Sequence, residues 1–267
     1  MLARLRPLAL VAVAALLAGC FQIDSVLTVR PDGSGEMRET VSADGLMAMG
    51  LLQTATELQP GQPAEGQQGL VVREVERTVL PGGARIVVTY DVPDVSELVY
   101  DPSDAVDPSA LAGEMGAPSV EAEEEDASEP YRFRFTPAAG GAPAELRVVT
   151  PAPEFDAPDT DNPLLGGDGE MTPLESYETT MALFGSLAMR FAVVAEGELV
   201  DADGGWAEGD RVVLNEIAFG PLLSHLYELQ GSVDEAAVLA LDADLGDGVE
   251  LPGFRAVAGG ETTIRFR

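Results

Sequence analysis

The chain contains no lysine, and only a single cysteine, histidine and tryptophan. Each scarcity excludes something. With Cys20 the sole thiol, no intrachain disulfide and no cysteine-based zinc site can form. With His225 the sole imidazole, a histidine-dependent triad has one place to be. Its neighbour Ser224 is adjacent on a predicted helix, where consecutive side chains point apart. Gly-x-Ser-x-Gly, His-Glu-x-x-His and a Gly-Lys phosphate loop are all missing, so His225 reads as a partly exposed helix residue. The basic side is thin as well: 15 arginines face 46 acidic residues, a net charge of −31. Such a balance keeps a body soluble and repels nucleic acid and anionic head groups. The one long apolar run, residues 8–17, is too short to span a bilayer.

That run has a different meaning. Arg4 and Arg6 precede it, Ala18 and Gly19 follow it, and together they give the three-part layout of a secretory signal over residues 1–19. Leu17-Ala18-Gly19-Cys20 resembles a bacterial lipobox, which implies cleavage before Cys20 and a covalent lipid on its thiol. Several acyl chains on one residue give lasting anchorage, since each buried methylene adds about 0.8 kcal/mol. In that lipoprotein class an Asp after the cysteine marks retention in the inner membrane. Phe21 stands there instead, which points to the outer membrane, facing the periplasm. The processed chain keeps 13 arginines against the 46 acids, a net −33, and the 46% hydrophobic content of the full chain is enough for a core.

The rest reads mainly as hairpins. Residues 23–30 and 36–41 form strands across the turn Pro31-Asp32-Gly33-Ser34-Gly35, with Met37 and Val41 alternating against Arg38 and Thr40. Asp44 then stands where it could cap a helix carrying Met47, Leu51, Ala55 and Leu58. A second hairpin runs over 70–80 and 84–92. Its first strand carries Arg73, Glu74, Glu76 and Arg77 on both faces, which predicts an edge. Residues 101–130 hold Pro, Ala, Ser and the acidic run 121–126 with no basic residue, and read as a flexible insertion. Tyr131, Phe133 and Phe135 alternate with Arg132 and Arg134 in a strand whose partner is 145–150. Thr172-Pro173-Leu174-Glu175 signals a helix start, with Leu174, Tyr177, Met181, Phe184 and Ala188 on one stripe. Residues 191–200 read as one strand, 201–210 as a turn and 211–217 as the returning strand. A short helix follows at 221–230, then a second capping box at Ser232-Val233-Asp234-Glu235, and a last strand at 262–267. The sum is an α+β fold: antiparallel hairpins forming one twisted sheet with a few amphipathic helices packed on it. The division is 1–19 signal peptide, 20–100 first α+β segment, 101–130 acidic insertion and 131–267 remainder of the domain.

A lipobox cysteine followed by Leu27-Thr28-Val29-Arg30-Pro31-Asp32-Gly33-Ser34-Gly35 resembles the bacterial LppM-like envelope lipoproteins. The resemblance covers residues 20–41 and, more loosely, 190–217. It implies an envelope lipoprotein with an α+β domain, and no catalytic residues to carry over.

Other chemistry is weighed on the residues. Asp242-Ala243-Asp244-Leu245-Gly246-Asp247-Gly248 departs from the calcium-loop spacing, as do Asp159-Thr160-Asp161 and Asp201-Ala202-Asp203, so these read as acidic surface turns. Met47, Met49, Met181 and Met189 suit core gaps, or a greasy groove. The expectation is a non-enzymatic lipoprotein held to the membrane through Cys20, with no cofactor beyond that lipid and no metal. Its domain binds or scaffolds an envelope protein or lipid partner, and nucleic acid is no partner. The alternatives are an envelope hydrolase working through paired carboxylates and a lipid carrier.

Overall fold

A computed structural model of the chain describes residues 21–64, 67–101, 130–150, 177–178, 181, 185–230, 249–257 and 260–267. Strand dominates them. The elements are β1 (Phe21–Val29), β2 (Gly35–Asp44), helix α1 (Gly45–Glu57), β3 (Val71–Leu80), β4 (Gly83–Val92), β5 (Val99–Tyr100), β6 (Tyr131–Thr136) and β7 (Ala144–Thr150). They continue as β8 (Ala188–Ala195), β9 (Leu199–Asp203), β10 (Trp206–Glu208), β11 (Arg211–Ala218), helix α2 (Phe219–Gln230), β12 (Val249–Leu251), β13 (Phe254–Ala256) and β14 (Gly260–Phe266).

These strands make two sheets. A nine-stranded sheet has the order β12-β13-β11-β8-β1-β2-β4-β3, with β10 beside β11; a five-stranded sheet runs β5-β6-β7-β14-β9. The cause is visible in each strand's alternation. In β1 the residues Phe21, Ile23, Ser25, Leu27 and Val29 are buried while those between are not, and β6 and β7 repeat the pattern. Each sheet therefore offers one apolar face, and the two faces close on each other. Tyr131 and Phe133 of the smaller sheet pack edge-on to Phe191 of the larger, with centroids 4.8 and 6.4 Å apart. Burying one such ring contributes about 1.5–3 kcal/mol. Helix α1 contributes to the same core through Leu51 and Ala55.

This arrangement corrects the expected α+β fold. The apolar faces of the strands are covered mainly by another sheet, and two helices are described in full; of the helix expected after Thr172, the described Tyr177, Glu178 and Met181 are helical. Nor is every neighbour antiparallel, since β1 and β8 pair in parallel.

The hairpins stand where the sequence puts them. β1 pairs with β2, β3 with β4 and β6 with β7, and β3 is an edge strand. Asp32 accepts from the Ser34 backbone N–H at 3.0 Å and from its hydroxyl at 2.7 Å, closing the first turn. Helix α1 begins after Asp44, but that side chain makes no cap bond. The Gly45 N–H instead reaches the Gly82 carbonyl at 2.9 Å, tying the helix start to the turn between β3 and β4.

The predicted strand over 191–200 breaks at Gly197, where the chain changes sheets. The Glu196 N–H bonds to the Val29 carbonyl at the end of β1, whereas the Glu198 N–H bonds to Arg267 beside β14. Gly197 turns this corner at φ 144°, and a Cβ there would run into the Arg267 carbonyl oxygen. β9 then pairs with β14, so Asp201 and Asp203 lie in a strand and not in a turn. Gly205, at φ 73°, brings the chain back to the large sheet. The predicted lipid site Cys20, residues 102–129 of the insertion, both capping boxes, and the acidic motifs at 159–161 and 242–248 lie outside the described residues.

Candidate functional site

The outer face of the nine-stranded sheet, turned away from the core, carries a line of charge fixed by strand register. Asp24 of β1 stands opposite Arg190 of β8, Arg190 opposite Glu216 of β11, Glu216 opposite Arg255 of β13, and Arg255 opposite Glu250 of β12. Sign alternates at every step. Glu208 of β10 bridges the two arginines, 2.5 Å from Arg190 and 2.8 Å from Arg255, and Arg255 also reaches Glu250 at 3.2 Å. The Arg190 bond first, then that to Arg255, holds the Glu208 carboxyl below the usual carboxylate range. Single exposed pairs of this kind contribute about 0.2–1 kcal/mol, and a network sharing one carboxylate sits at the upper end.

Beside this line lies a shallow groove of about 300 Å³, with Gln22, Asp24, Thr40, Ser42, Arg85 and Glu216 among its walls. Hydroxyl, amide, guanidinium and carboxylate groups give it both donors and acceptors, beside the apolar Ile23, Ala188, Met189, Ile217 and Ala218. Arg85 reaches only as far as the Ser42 hydroxyl, at 3.4 Å. Asp24 Oδ1 is covered and has no hydrogen-bond partner.

A second polar cluster lies inside. Glu39 falls in the inward register of β2, between Met37 and Val41, and is 4% exposed. The Tyr90 hydroxyl donates to its Oε2 at 3.1 Å, and the Tyr100 hydroxyl lies 2.9 Å from its Oε1 and 2.8 Å from Ser25 Oγ. Burial raises the Glu39 pKa, while the Tyr100 and Tyr90 hydrogen bonds partly offset it. Both tyrosines are pushed up in turn, by burial first and then by the neighbouring carboxyl. Tyr131 nearby is raised to about 12, again chiefly by burial. Because Tyr100 belongs to the smaller sheet while Glu39 and Ser25 belong to the larger, this cluster joins the two.

The residues singled out from sequence do not converge. His225 is half-buried on α2, and the Ser224 hydroxyl donates back to the Gly220 carbonyl at 2.9 Å and lies 3.1 Å from the Tyr177 hydroxyl. Asp201 is held by Arg265 at 2.9 Å. Met47 and Met189 pack against the core and Met49 is exposed. Among the described residues no group of three His, Cys, Asp or Glu side chains could hold a metal ion, and no helix is long and apolar enough to cross a membrane. Neither the charge line nor Glu39 was picked out. Glu39 carried a readable signal, a charged residue in phase with apolar ones, whereas the charge line needs a register between distant strands.

Comparison with known proteins adds little. No protein-family model and no curated protein matches the chain. Among solved structures, the folded domain of LppM from Mycobacterium tuberculosis aligns over 92% of this chain and 90% of its own, with a TM-score of 0.31 and 7% identity. A likeness of that size transfers neither a fold nor a residue role.

Proposed function

We propose that the chain is a lipid-anchored envelope lipoprotein whose two-sheet body recognises a polar partner and runs no reaction. The observation that carries this reading is the division among its carboxyls. Glu208, which reaches the surface, is held ionised between two arginines. Glu39, whose proton is held more tightly than usual, is sealed between the sheets. Glycoside hydrolysis by paired carboxylates needs a protonated acid and an ionised partner on one open site. Among the described carboxyls that are shifted, the one pushed up and those held down sit in different places. The groove of mixed donors and acceptors suits recognition of a polar group on an envelope protein or glycan. A lipid carrier is disfavoured because the rings of Tyr100, Tyr131, Phe133 and Phe191 fill the space between the sheets.

The anchor is Cys20, and Phe21 after it supports placement at the outer membrane, facing the periplasm. A panel of envelope glycans and peptides incubated with the protein tests the reading. Binding without turnover, weakened by Arg85→Ala, is the expected result. Hydrolysis that Glu208→Gln abolishes would overturn it.

A further inference from the structure

The nine-stranded sheet ends on one side in β12, with three residues, and on the other in β3, with ten. An edge strand turns the N–H and C=O of every second residue away from its sheet, where another strand can pair with them. The chain itself uses the first part of β3 in this way. The Val72 N–H donates to the Gln62 carbonyl at 2.9 Å, the Val72 carbonyl accepts from the Gly61 N–H at 2.7 Å, and Pro63 bridges Val71 in the antiparallel sense. Beyond Arg73, over residues 74–80, the only strand beside β3 among the described residues is β4. Leu80 closes the two-residue turn opposite Gly83, so the outward backbone groups of this stretch belong to Val75, Arg77 and Val79.

The side chains of the open stretch have one sign to spare. Val75 packs against the core, so Glu74 and Glu76 project from the other face of the sheet. Both are exposed, and across the ladder they stand opposite the uncharged Thr89 and Val87. Among the described residues neither has an ion-pair partner. The arginines of the same strand are already engaged. Arg73 binds Glu36 at 2.6 Å and Asp91 at 3.2 Å, and Arg77 donates to the Ala55 carbonyl. Val79, 76% exposed, leaves an apolar side chain in water near the end of the edge. Charges on an edge strand guard it against pairing. Here the unpaired charge is all negative, so it turns away acidic strands, including a second copy of this chain at net −31. A basic strand meets no such barrier.

From the open edge, its unpaired glutamates and the short segment already paired beside it, we infer that residues 74–80 of β3 dock an extended basic segment of another protein. The segment adds to the sheet as an antiparallel strand, with basic residues opposite Glu74 and Glu76 and apolar ones opposite Val75 and Val79. Main-chain hydrogen bonds give the hold, and the two glutamates select the partner. This docking goes beyond the recognition proposed for the groove and does not depend on it.

Titration of the full chain in detergent with the synthetic peptide Thr-Val-Thr-Ser-Lys-Val-Lys, written to run antiparallel to residues 80–74, tests the inference. The control peptide carries Glu in place of both Lys. The Lys peptide should bind and the Glu peptide should not. Glu74→Gln/Glu76→Gln, a change confined to two exposed side chains, should weaken the Lys peptide about fivefold, as expected for the loss of two opposed charge pairs. N-Methylation of the peptide separates strand pairing from plain charge attraction and leaves the protein untouched. A methyl on the nitrogens of both Val, which face the outward groups of Val79 and Val75, should abolish binding. A methyl on the nitrogens of the second Thr and the first Lys, opposite Thr78 and Glu76, should leave it largely intact. Failure of the Lys peptide to bind would overturn the inference, as would equal binding of the Lys and Glu peptides or an unchanged affinity in the Gln variant. Equal tolerance of the two methylation patterns would overturn it as well, since the peptide would then be held by charge alone.

Discussion

The Tyr100 hydroxyl lies 2.9 Å from Glu39 Oε1, across the interface between the two sheets. When Glu39 is ionised, Tyr90 and Tyr100 each donate to it and Ser25 donates to Tyr100. When it is neutral, its own proton goes to Tyr100, which then donates to Ser25. Both states are accommodated, but burial makes the charged one dearer.

A pH dependence of known sign follows. The folded pKa of Glu39 is raised above the ordinary value of 4.5, so between the two values the folded state binds the proton more tightly than the unfolded chain. Its contribution to stability is greatest below pH 4.5 and falls as pH rises toward the folded pKa. Glu39→Gln removes that fall. Denaturant melts of both proteins from pH 4 to pH 8 should show the wild type losing ground to the variant, by up to about 1.4 kcal/mol per pH unit inside the window. A stability difference independent of pH would refute this.

Gly197→Ala should destabilise the fold more than an ordinary surface change. The backbone there sits at φ 144°, and the added methyl meets the Arg267 carbonyl at the point where the chain passes from sheet to sheet. A cost of about 2–4 kcal/mol is expected, combining backbone strain with the clash. A thermal melt within 2 °C of wild type would show that the corner relaxes freely.

Replacing residues 102–129 by a short Gly/Ser linker should leave the two sheets standing. Tyr100 and Tyr131 are already paired, so the linker has almost no gap to cross, and shortening a loop changes its closure entropy only slightly. A fall in melting temperature of more than about 8 °C would mean that the span is packed structure.

Cys20→Ser should abolish lipid attachment and membrane retention while the circular dichroism spectrum of the body stays unchanged. Serine differs from cysteine by one atom and the position precedes β1, so the strand pairing of the body is kept. A variant that still sediments with membranes after a high-salt wash would defeat the anchor.

Much of the local structure was legible. In β1 and β6 each buried residue alternates with a less buried one, polar everywhere but at Val26 and Phe135, and that period declares a strand half in water. The charges on both faces of β3 declared an edge. What was hidden is non-local. Residues 191–200 read as one strand, because a single Gly197 among Val, Ala and Leu gives no local sign that the chain changes sheets there. The parallel pairing of β1 with β8 joins residues more than a hundred positions apart, and the charge line exists only once that pairing sets Asp24 against Arg190. Helix-covered and sheet-covered strands show the same alternation, which is why the fold class was misread.

β1 begins at Phe21, the residue after Cys20, and it lies inside the larger sheet with β8 on one side and β2 on the other. A lipid on Cys20 would therefore have no leash. The bilayer would be joined directly to an interior strand of the larger sheet. Its nine residues set Val29 about 26 Å above Phe21 along the strand. The groove walls Gln22 and Asp24 follow within four residues of Cys20, so a partner seated there would meet the body no more than about 13 Å from the anchor.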